Sequence, residues 1–417
     1  MLTGYAEDVQ IVEIEKLVYG GDGLARLDGR VIFVPFVIPG EQASLVELTV
    51  PGRKSKQVRV DQLVKPARER VESACPIFTR CGGCHYQQIP YPLQLTYKVQ
   101  ILRETLARLG GIDWSEEIET VSGEPWGYRN RTKLHIRDGL KERHGVSPKA
   151  RKIGFFEANS HRLVESTNCP INSPGLNRAH KALAEMVAEY QPPKFITEVE
   201  FFSNEVDLLM GIPGGRRAST TKFLKLCADR IPGLSMQSSI DYSVGQHSYQ
   251  VAAESFFQVN RFLIDHLVDL VTADAEGINA LDLYAGVGIF SVPIAERVAH
   301  VKAVDSSTRA VRFLQKNAHG AGVEVQTIHL NVEDYVCGTT QKFDFVVADP
   351  PRTGLGPVVT KALVRMRPGR LKLVSCDPAT LARDLQVLVA GGFKIEKITL
   401  VDLFPQTYHI EAVVQLA

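Results

Sequence analysis

The 417-residue sequence has no apolar run that approaches the ~18 residues of a membrane-spanning helix. Its N-terminus, MLTGYAEDVQ, lacks the basic start and apolar core of an export signal. An excess of charge of one sign is lacking too, because 48 Lys and Arg residues stand against 47 Asp and Glu residues. We therefore expect a soluble, cytoplasmic protein with no membrane partner, in which any binding of nucleic acid depends on local basic patches.

Internal repeats, low-complexity tracts and long linkers are also missing, and nothing in the sequence requires a protein partner. The 7 cysteines are an odd number in a chain without an export signal, which disfavours a disulfide framework and favours metal binding or catalysis. Basic residues crowd in two segments, 53–59 and 129–152. An RNA-binding surface and an ordinary solvated surface are both open for these segments.

The order of apolar patterns divides the chain into three domains. Residues 1–62 alternate apolar and polar side chains between Gly-rich turns, which predicts a small antiparallel β-barrel. Residues 63–245 mix short strands with helices, including a helix over 93–109, and are predicted to form an α+β domain. In residues 246–417, near-continuous apolar runs alternate with helices, which predicts a doubly wound α/β domain around a mostly parallel sheet.

The first strand-to-helix turn of the last domain reads LDLYAGVGIFSVPIA. Gly286 and Gly288 let the backbone approach a ligand there, while Ser291 stands where a dinucleotide fingerprint has its third glycine. Asp305 ends the next strand, where a carboxylate can accept both hydroxyls of a ribose, although it could instead cap the following helix. Together with a later DPP motif, this pattern resembles class I methyltransferases that use S-adenosylmethionine (SAM), and NAD fits it less well.

Two further strands end in reactive side chains. Asp349 begins DPPRTGL, where Arg352 replaces the aromatic residue of enzymes that methylate exocyclic amines. Cys376 follows the strand LKLVS and precedes a helix, whose N-terminus is expected to lower the pKa of the thiol. The alternative for Cys376 is a small buried apolar residue, as we expect for Cys227 and Cys337.

A thiolate in this position suits methylation of carbon 5 of uracil. Addition of the thiolate to carbon 6 makes an enolate that can attack the methyl group of SAM, and a base must then remove the proton from carbon 5. Glu411 opens the last strand and is the base that we select. An exposed structural glutamate is the alternative.

These residues resemble the RNA uracil-5-methyltransferase family, which modifies 23S ribosomal RNA or the T-loop of transfer RNA. FFQVN, LDLYAGVG, DPPRTGL, SCDPATLARDL and FPQTYHIEAVV look like successive family motifs in family order. The resemblance implies a Rossmann-like fold, Cys376 as nucleophile, Glu411 as base and a set of SAM contacts. That set comprises Gln258, Tyr284, Gly286, Gly288, Asp305 and Asp349. Ala285, Ile289 and Asp305 depart from common family residues, and the last two could alter SAM affinity.

The N-terminal barrel resembles a TRAM domain, a small RNA-binding β-barrel. Cys75, Cys81 and Cys84 have the spacing C-x5-C-x2-C, and Cys169 is a distant fourth cysteine. By spacing alone, zinc and iron-sulfur are equally favoured. Resemblance to the TRAM-containing subset of the family implies a [4Fe-4S] cluster held by these four thiolates.

Three rival functions fit less well. Radical-SAM methylthiotransferases combine TRAM domains with C-x3-C-x2-C clusters, but they would leave Cys376 without a function. RNA cytosine-5-methyltransferases generally carry the nucleophile in the motif that corresponds to DPPR, which has no cysteine here. A non-catalytic iron-sulfur RNA-binding protein would not need to keep every reactive group. We expect 23S ribosomal RNA as the substrate, with uridine 54 of transfer RNA as the alternative.

Overall fold

The structure, a computed structural model, describes residues 10–48, 57–138, 151–190, 192–213 and 217–417. The chain forms two compact units, Met1–Ile101 with Phe404–His409, and Leu102–Leu403 with Ile410–Ala417. These units group the residues differently from the three domains predicted above, whose borders stay a prediction. No helix in the described ranges is long and apolar enough to span a membrane.

The first unit begins with a five-stranded antiparallel sheet in the order β3-β2-β1-β4-β5. Its outermost strands, β3 and β5, also approach each other, so the sheet curls toward the barrel predicted from the sequence. Alternating side chains point into one apolar core that includes Val12, Ile14, Ala25 and Val34. The strands are β1 (Gln10–Leu17), β2 (Gly23–Leu27), β3 (Arg30–Val34), β4 (Gln42–Leu48) and β5 (Gln57–Lys65).

A buried carboxylate joins this sheet to the chain that follows it. Glu41 is fully buried and accepts hydrogen bonds from the backbone N–H groups of Ile38 at 2.8 Å and Ala67 at 3.1 Å. The guanidinium of Arg70 donates two more, at 2.7 and 2.8 Å. Burial alone would raise the pKa of Glu41, but Arg70 and the two N–H groups outweigh it and hold that pKa below its ordinary value of 4.5.

The turns of the cysteine-bearing loop lead into α1 (Tyr91–Gly110), close to the predicted helix. The second unit then opens with β6 to β13, which include a five-stranded antiparallel sheet in the order β11-β10-β7-β8-β9 and the hairpin β12-β13. These elements are β6 (Glu119–Val121), β7 (Arg131–Asp138), β8 (Arg151–Phe156), β9 (Leu163–Glu165), α2 (Pro174–Tyr190), β10 (Glu198–Ser203), β11 (Leu208–Gly211), α3 (Arg217–Ala228), β12 (Ile240–Val244) and β13 (His247–Val251).

The rest of the second unit alternates strands and helices, as the sequence predicts. The elements are α4 (Ile264–Thr272), β14 (Asn279–Leu283), α5 (Ser291–Ala295), β15 (His300–Asp305), α6 (Thr308–Ala321), β16 (Gln326–His329), α7 (Val332–Gly338), β17 (Phe345–Ala348), α8 (Gly356–Met366), β18 (Arg370–Ser375), α9 (Pro378–Ala390), β19 (Ile395–Val401) and β20 (Glu411–Leu416).

Eight strands form one sheet in the order β16-β15-β14-β17-β18-β20-β19-β6. The first five strands of this order are parallel, which confirms the predicted doubly wound arrangement. β20 enters antiparallel between β18 and β19, and β6 adds an edge strand from far upstream in the chain. The order reverses at β14, where ligands of open α/β sheets bind beyond the carboxyl ends of the strands.

We expect Glu41→Gln to destabilise the β1–β5 sheet by about 2–3 kcal/mol, because Arg70 then loses its charged partner. Amide hydrogen exchange of β1 and β4 in the full-length protein measures the effect. Since the fold lowers the pKa of Glu41, the wild-type contribution is present above the ordinary pKa of 4.5 and is lost as the pH falls through the folded value.

Glu15→Gln is the matched control, because the ion pair of Glu15 with Arg26 on the same sheet is exposed on both sides. Such a pair contributes about 0–1 kcal/mol. Equal exchange rates in the two variants would contradict the assignment of Glu41 as a structural anchor.

Candidate functional site

The carboxyl edge of the eight-stranded sheet collects the residues singled out in the last domain. Tyr284 follows β14, Asp305 ends β15, Asp349 follows β17 and Cys376 follows β18. Because these four strands are parallel neighbours, their ends meet at one edge. Four residues that the sequence analysis named therefore lie at the same edge of the sheet.

The glycine turn after β14 is held by Asp305. The backbone N–H of Gly286 donates to Asp305 Oδ2 at 2.8 Å, and the N–H of Ser307 donates to Asp305 Oδ1 at 2.7 Å. Asp305 is not the helix cap considered from the sequence, since Ser307 caps α6. Gly288 has a φ of +90°, and a Cβ there would lie 2.9 Å from Leu314 Cγ, so the turn requires glycine at this position.

The site fits a nucleoside-bearing ligand. The space beside the Cα of Gly286 is open, because an added Cβ would meet no other atom within 4 Å. Carboxylate oxygens of Asp305 retain lone pairs beside this open space, as a ribose would require. The turn and its carboxylate are therefore compatible with bound SAM.

Asp282 was missed in the sequence, although an acid within an apolar strand is a visible signal. Its side chain is buried in β14 and accepts a short hydrogen bond from Ser291 Oγ. Burial raises the pKa of Asp282 to about 7, with Ser291 opposing the shift. Ser291 thus ties α5 to β14 at the position where dinucleotide enzymes have their third glycine.

Gln258 reaches this edge from the segment before α4. Its Nε2 donates to Asp349 Oδ2 at 3.2 Å. The backbone of Gln258 is held in turn by Asn130, whose Nδ2 donates to the Gln258 carbonyl at 2.8 Å and to Tyr242 Oη at 3.1 Å. Asn130 is buried and lies 128 positions away in the sequence, so local motifs gave no signal for it.

The register between β18 and β20 brings Cys376 and Glu411 together. Ser375, the last residue of β18, pairs with Ala412 in this antiparallel ladder. Cys376, the next residue along the chain, therefore lies beside Glu411, the first residue of β20. Glu411 is 4% exposed, while Cys376 is partly exposed. The exposed-glutamate alternative is therefore wrong, and so is the fully buried alternative for Cys376. The burial expected for Cys227 is confirmed, whereas that expected for Cys337 is wrong, because Cys337 is exposed.

These groups share one electrostatic environment. Burial raises the pKa of Glu411, the negative charge of Asp349 raises it further, and the positive charge of Arg352 opposes the shift. Burial likewise raises the pKa of Asp349. A carboxylate with a raised pKa is a stronger proton acceptor than an ordinary one once it is ionised.

The expected lowering of the Cys376 pKa by the helix N-terminus is wrong for the free site. Burial raises the pKa of Cys376 to about 12, and the charges of Glu411 and Asp349 add to the effect. The first N–H groups of α9 are taken by Asp377, which accepts from Ala379 at 3.0 Å and Thr380 at 2.9 Å. Two N–H groups at the N-terminus of α9 are therefore bonded to the Asp377 cap and not directed at Cys376.

Two arginines of the predicted basic segment 129–152 make contacts within the protein that the sequence did not predict. The guanidinium of Arg131 packs 4.6 Å from the centre of the Phe202 ring and donates to Ser255 O at 2.7 Å and to Ala253 O. Arg151 donates to the carbonyl groups of the 192–193 segment. Lys141, Arg143 and Lys149 lie outside the described residues, as do the basic positions 53, 54 and 56.

Phe256 is a further residue that sequence reasoning missed. It is 72% exposed, two positions before Gln258, on the segment that Arg131 and Asn130 hold. An exposed aromatic ring on a fixed segment offers a stacking surface for a base. Its signal was the double aromatic FF directly before QVN.

The four cysteines assigned to a cluster lie in different units. In the first unit Cys75 and Cys84 are buried and Cys81 is partly buried, on a loop whose turns are closed by backbone hydrogen bonds. In the second unit the backbone of Cys169 exchanges hydrogen bonds with the Asn177 side chain. Among the described residues, no three His, Cys, Asp or Glu side chains are arranged to hold a metal ion.

Known proteins match the chain over most of its length. A family model described as tRNA (uracil-5-)-methyltransferase matches residues 236–417. The 23S rRNA (uracil(1939)-C(5))-methyltransferase of Pectobacterium atrosepticum is 31% identical over 414 residues, covering 94% of this chain and 90% of that protein. An uncharacterized RNA methyltransferase of Gloeobacter violaceus is 32% identical, with 97% and 95% covered.

One solved structure resembles the whole chain. It is the Pyrococcus abyssi tRNA (uracil-54, C5)-methyltransferase in complex with S-adenosyl-L-homocysteine, with a TM-score of 0.72 and 26% identity. The similarity covers 98% of this chain and 100% of that one. The fold and the order of elements are therefore shared with a protein that binds the demethylated product of SAM.

We expect iodoacetamide to label Cys376 slowly in the free protein, at least ~100-fold more slowly at pH 8 than the exposed Cys337. With its pKa raised to about 12, only about one Cys376 thiol in ten thousand is ionised at that pH. The rate should rise steadily up to pH 10, as measured by mass spectrometry of the labelled peptides.

Glu411→Gln should speed this labelling, because it removes a negative charge that raises the thiol pKa. Labelling of Cys376 that matches Cys337 at pH 8 would instead indicate an ionised thiol in the free site.

Proposed function

Since this chain belongs to the RNA uracil-5-methyltransferase family and is a SAM-dependent enzyme of that class, we propose that it methylates carbon 5 of a uridine in 23S ribosomal RNA. The placement of Cys376 beside Glu411, through the register of β18 and β20, is the observation that carries the proposal. The 31% identity to a protein named as a 23S rRNA methyltransferase supports the choice of RNA. Such a substrate implies a cytoplasmic location.

We assign different contacts with SAM to different residues at the carboxyl edge of the sheet. Asp305 would hold the ribose, Gly286 and Gly288 would let the backbone approach the cofactor, and Tyr284 follows directly after β14 at the same edge. Gln258 and Asp349, which are joined by a hydrogen bond of 3.2 Å, would lie at the reacting end of the cofactor. SAM supplies the methyl group when it is bound.

The chain supplies a nucleophile and a base for one covalent cycle. The Cys376 thiol loses its proton to solvent, and the sulfur bonds to carbon 6 of the uracil while the ring becomes an enolate. After methylation of carbon 5, Glu411 takes the proton from that carbon and the bond between sulfur and carbon 6 breaks. Arg352 favours the ionised forms of Cys376 and Glu411, because its charge lowers the pKa of both.

Recognition of RNA requires the target uracil to leave its stack. We assign the stacking surface to Phe256, which is exposed beside Gln258. The curled sheet β1–β5 and the basic segment 129–152 are the proposed RNA-binding elements. Arg131 and Arg151 are committed to internal contacts, so phosphate contacts in that segment would fall to its other basic residues.

Transfer RNA is the second candidate substrate, because a solved structure that is similar over 98% of this chain is a tRNA (uracil-54, C5)-methyltransferase. The two candidates differ only in the RNA that reaches the site. The same reacting groups would serve both.

The proposed cycle can be arrested with RNA that carries 5-fluorouridine at the target position. Fluorine cannot leave as a proton does, so wild-type protein should form a slow-migrating protein–RNA band that carries label from methyl-labelled SAM. Cys376→Ala should form no band. Glu411→Gln should accumulate the band even with ordinary uridine, because the proton of carbon 5 is not removed.

Two RNAs in parallel decide the substrate: a 23S fragment containing the uridine equivalent to the relative's target, and a tRNA transcript with uridine 54. We expect the labelled band with the 23S fragment. A band with the tRNA alone would select the second candidate, and a band formed by Cys376→Ala would reject Cys376 as the nucleophile.

We also propose a [4Fe-4S] cluster on Cys75, Cys81, Cys84 and Cys169. The chemistry of the donor set supports this, because four cysteine thiolates are the ligands that a [4Fe-4S] cluster requires. No step of the proposed methyl transfer passes through the cluster.

Protein purified without oxygen should contain about four iron and four sulfide per chain and absorb as a brown iron-sulfur protein. Cys169→Ser should lose most of the iron, because the closed thiolate set is then incomplete, while Cys337→Ser should keep it. Elemental analysis that finds one zinc per chain and no iron would reject the cluster assignment.

A further inference from the structure

One buried carboxylate near the site has no part in the chemistry proposed above. Asp384 lies on α9 and is 7% exposed. Its Oδ2 accepts from the N–H of Leu355 at 2.7 Å, and its Oδ1 accepts from the N–H of Gly356 at 3.2 Å. A buried carboxylate is costly unless it is well satisfied, so these two donors indicate a specific use.

Both donors lie where the loop that starts at Asp349 and carries Arg352 meets α8, because Leu355 is the N-cap of α8 and Gly356 is its first residue. This loop, residues 349–356, turns sharply where the N–H of Gly354 donates to Pro351 O at 2.8 Å. Gly354 has a φ of +77°, and a Cβ there would lie 2.5 Å from Asp384 Oδ2. The loop therefore passes over α9 at contact distance.

Helix α9, which carries Asp384, begins next to Cys376, the proposed nucleophile. Cys376 is followed by Asp377, the cap of α9, and Asp384 lies on the same helix. Asp384 thus connects two segments of the site, each fixed to its own strand. One segment follows β17 and the other follows β18.

We propose that Asp384 is a positioning residue that fixes the loop 349–356 to α9 and thereby holds Asp349 and Arg352 in place relative to Cys376. The inference rests on the covalent mechanism proposed above. A displacement of about 1 Å at reacting groups can slow a reaction by roughly 100-fold. The loop carries one group that contacts Gln258 and one whose charge acts on the thiol, so its position matters for the addition step.

The same strand offers a matched comparison at its other end. Asp344 precedes β17, and its Oδ2 accepts from the N–H groups of Ile278 at 2.7 Å and Asn279 at 2.9 Å. Asp344 and Asp384 are thus two carboxylates that each accept two backbone N–H groups. They differ in that Asp384 is buried at the carboxyl edge of the sheet, whereas Asp344 is exposed at the opposite edge.

The test compares Asp384→Asn with Asp344→Asn in the full-length protein. In Asp384→Asn an amide NH₂ faces one of the two N–H donors, so the loop should shift. We expect the rate of adduct formation with saturating SAM and 5-fluorouridine RNA to fall about 10- to 100-fold, while the dissociation constant for RNA stays within about 3-fold of wild type. Asp344→Asn should keep the wild-type adduct rate.

Gly354→Ala provides a second route to the same displacement if Asp384→Asn does not fold. Its Cβ would push against Asp384 Oδ2, so adduct formation should slow with binding retained. Equal adduct rates in wild type and both site variants would overturn the inference, even if their melting temperatures fall. A wild-type protein that forms no adduct would overturn the covalent mechanism and this assignment together.

Discussion

Strand β20 runs antiparallel to β18, so its first residue lies at the edge of the sheet where β18 ends. In a purely parallel sheet the start of a strand would lie at the opposite edge from its neighbour's end. The reversal lets a residue that opens one strand, Glu411, act beside a residue that follows another, Cys376. Both the proposed nucleophile and the proposed base depend on this one pairing.

The carboxyl edge of the sheet brings together several acidic side chains whose charged forms are disfavoured by burial. Burial raises the pKa of Asp282, Asp349 and Glu411, and it raises the pKa of the Cys376 thiol as well. Burial therefore disfavours the charged forms of these groups, and the positive charge of Arg352 opposes that effect at Glu411 and Cys376. The raised pKa of Cys376 also protects the thiol from oxidation, since the thiolate is the reactive form.

The sequence predicted which residues meet at the sheet edge, because apolar runs followed by glycine or by a reactive side chain mark the ends of parallel strands. It could not predict how the local donors are used. The N-terminus of α9 was expected to lower the pKa of Cys376, yet Asp377 takes two of its N–H groups. Whether a helix terminus acts on a neighbour or on its own cap is decided by side-chain geometry, which spacing does not contain.

Long-range contacts set a second limit. In the sequence, Asn130 and Arg131 belong to a basic segment that is predicted to bind RNA. In the structure, both side chains donate hydrogen bonds to the segment before α4 that carries Gln258. These contacts connect residues more than 120 positions apart, with no periodicity to reveal them. Strand β6 is similar, since it joins the eight-stranded sheet from far upstream in the chain.

The use of Asn130 and Arg131 has a consequence for how binding and chemistry are linked. Both residues stand at the start of β7, whose sheet continues into β8 across a basic segment. The Gln258 segment is fixed to this sheet by a buried amide and a guanidinium, and Gln258 in turn contacts Asp349. The position of β7 is therefore connected to that of Asp349 through hydrogen bonds rather than through a loose linker.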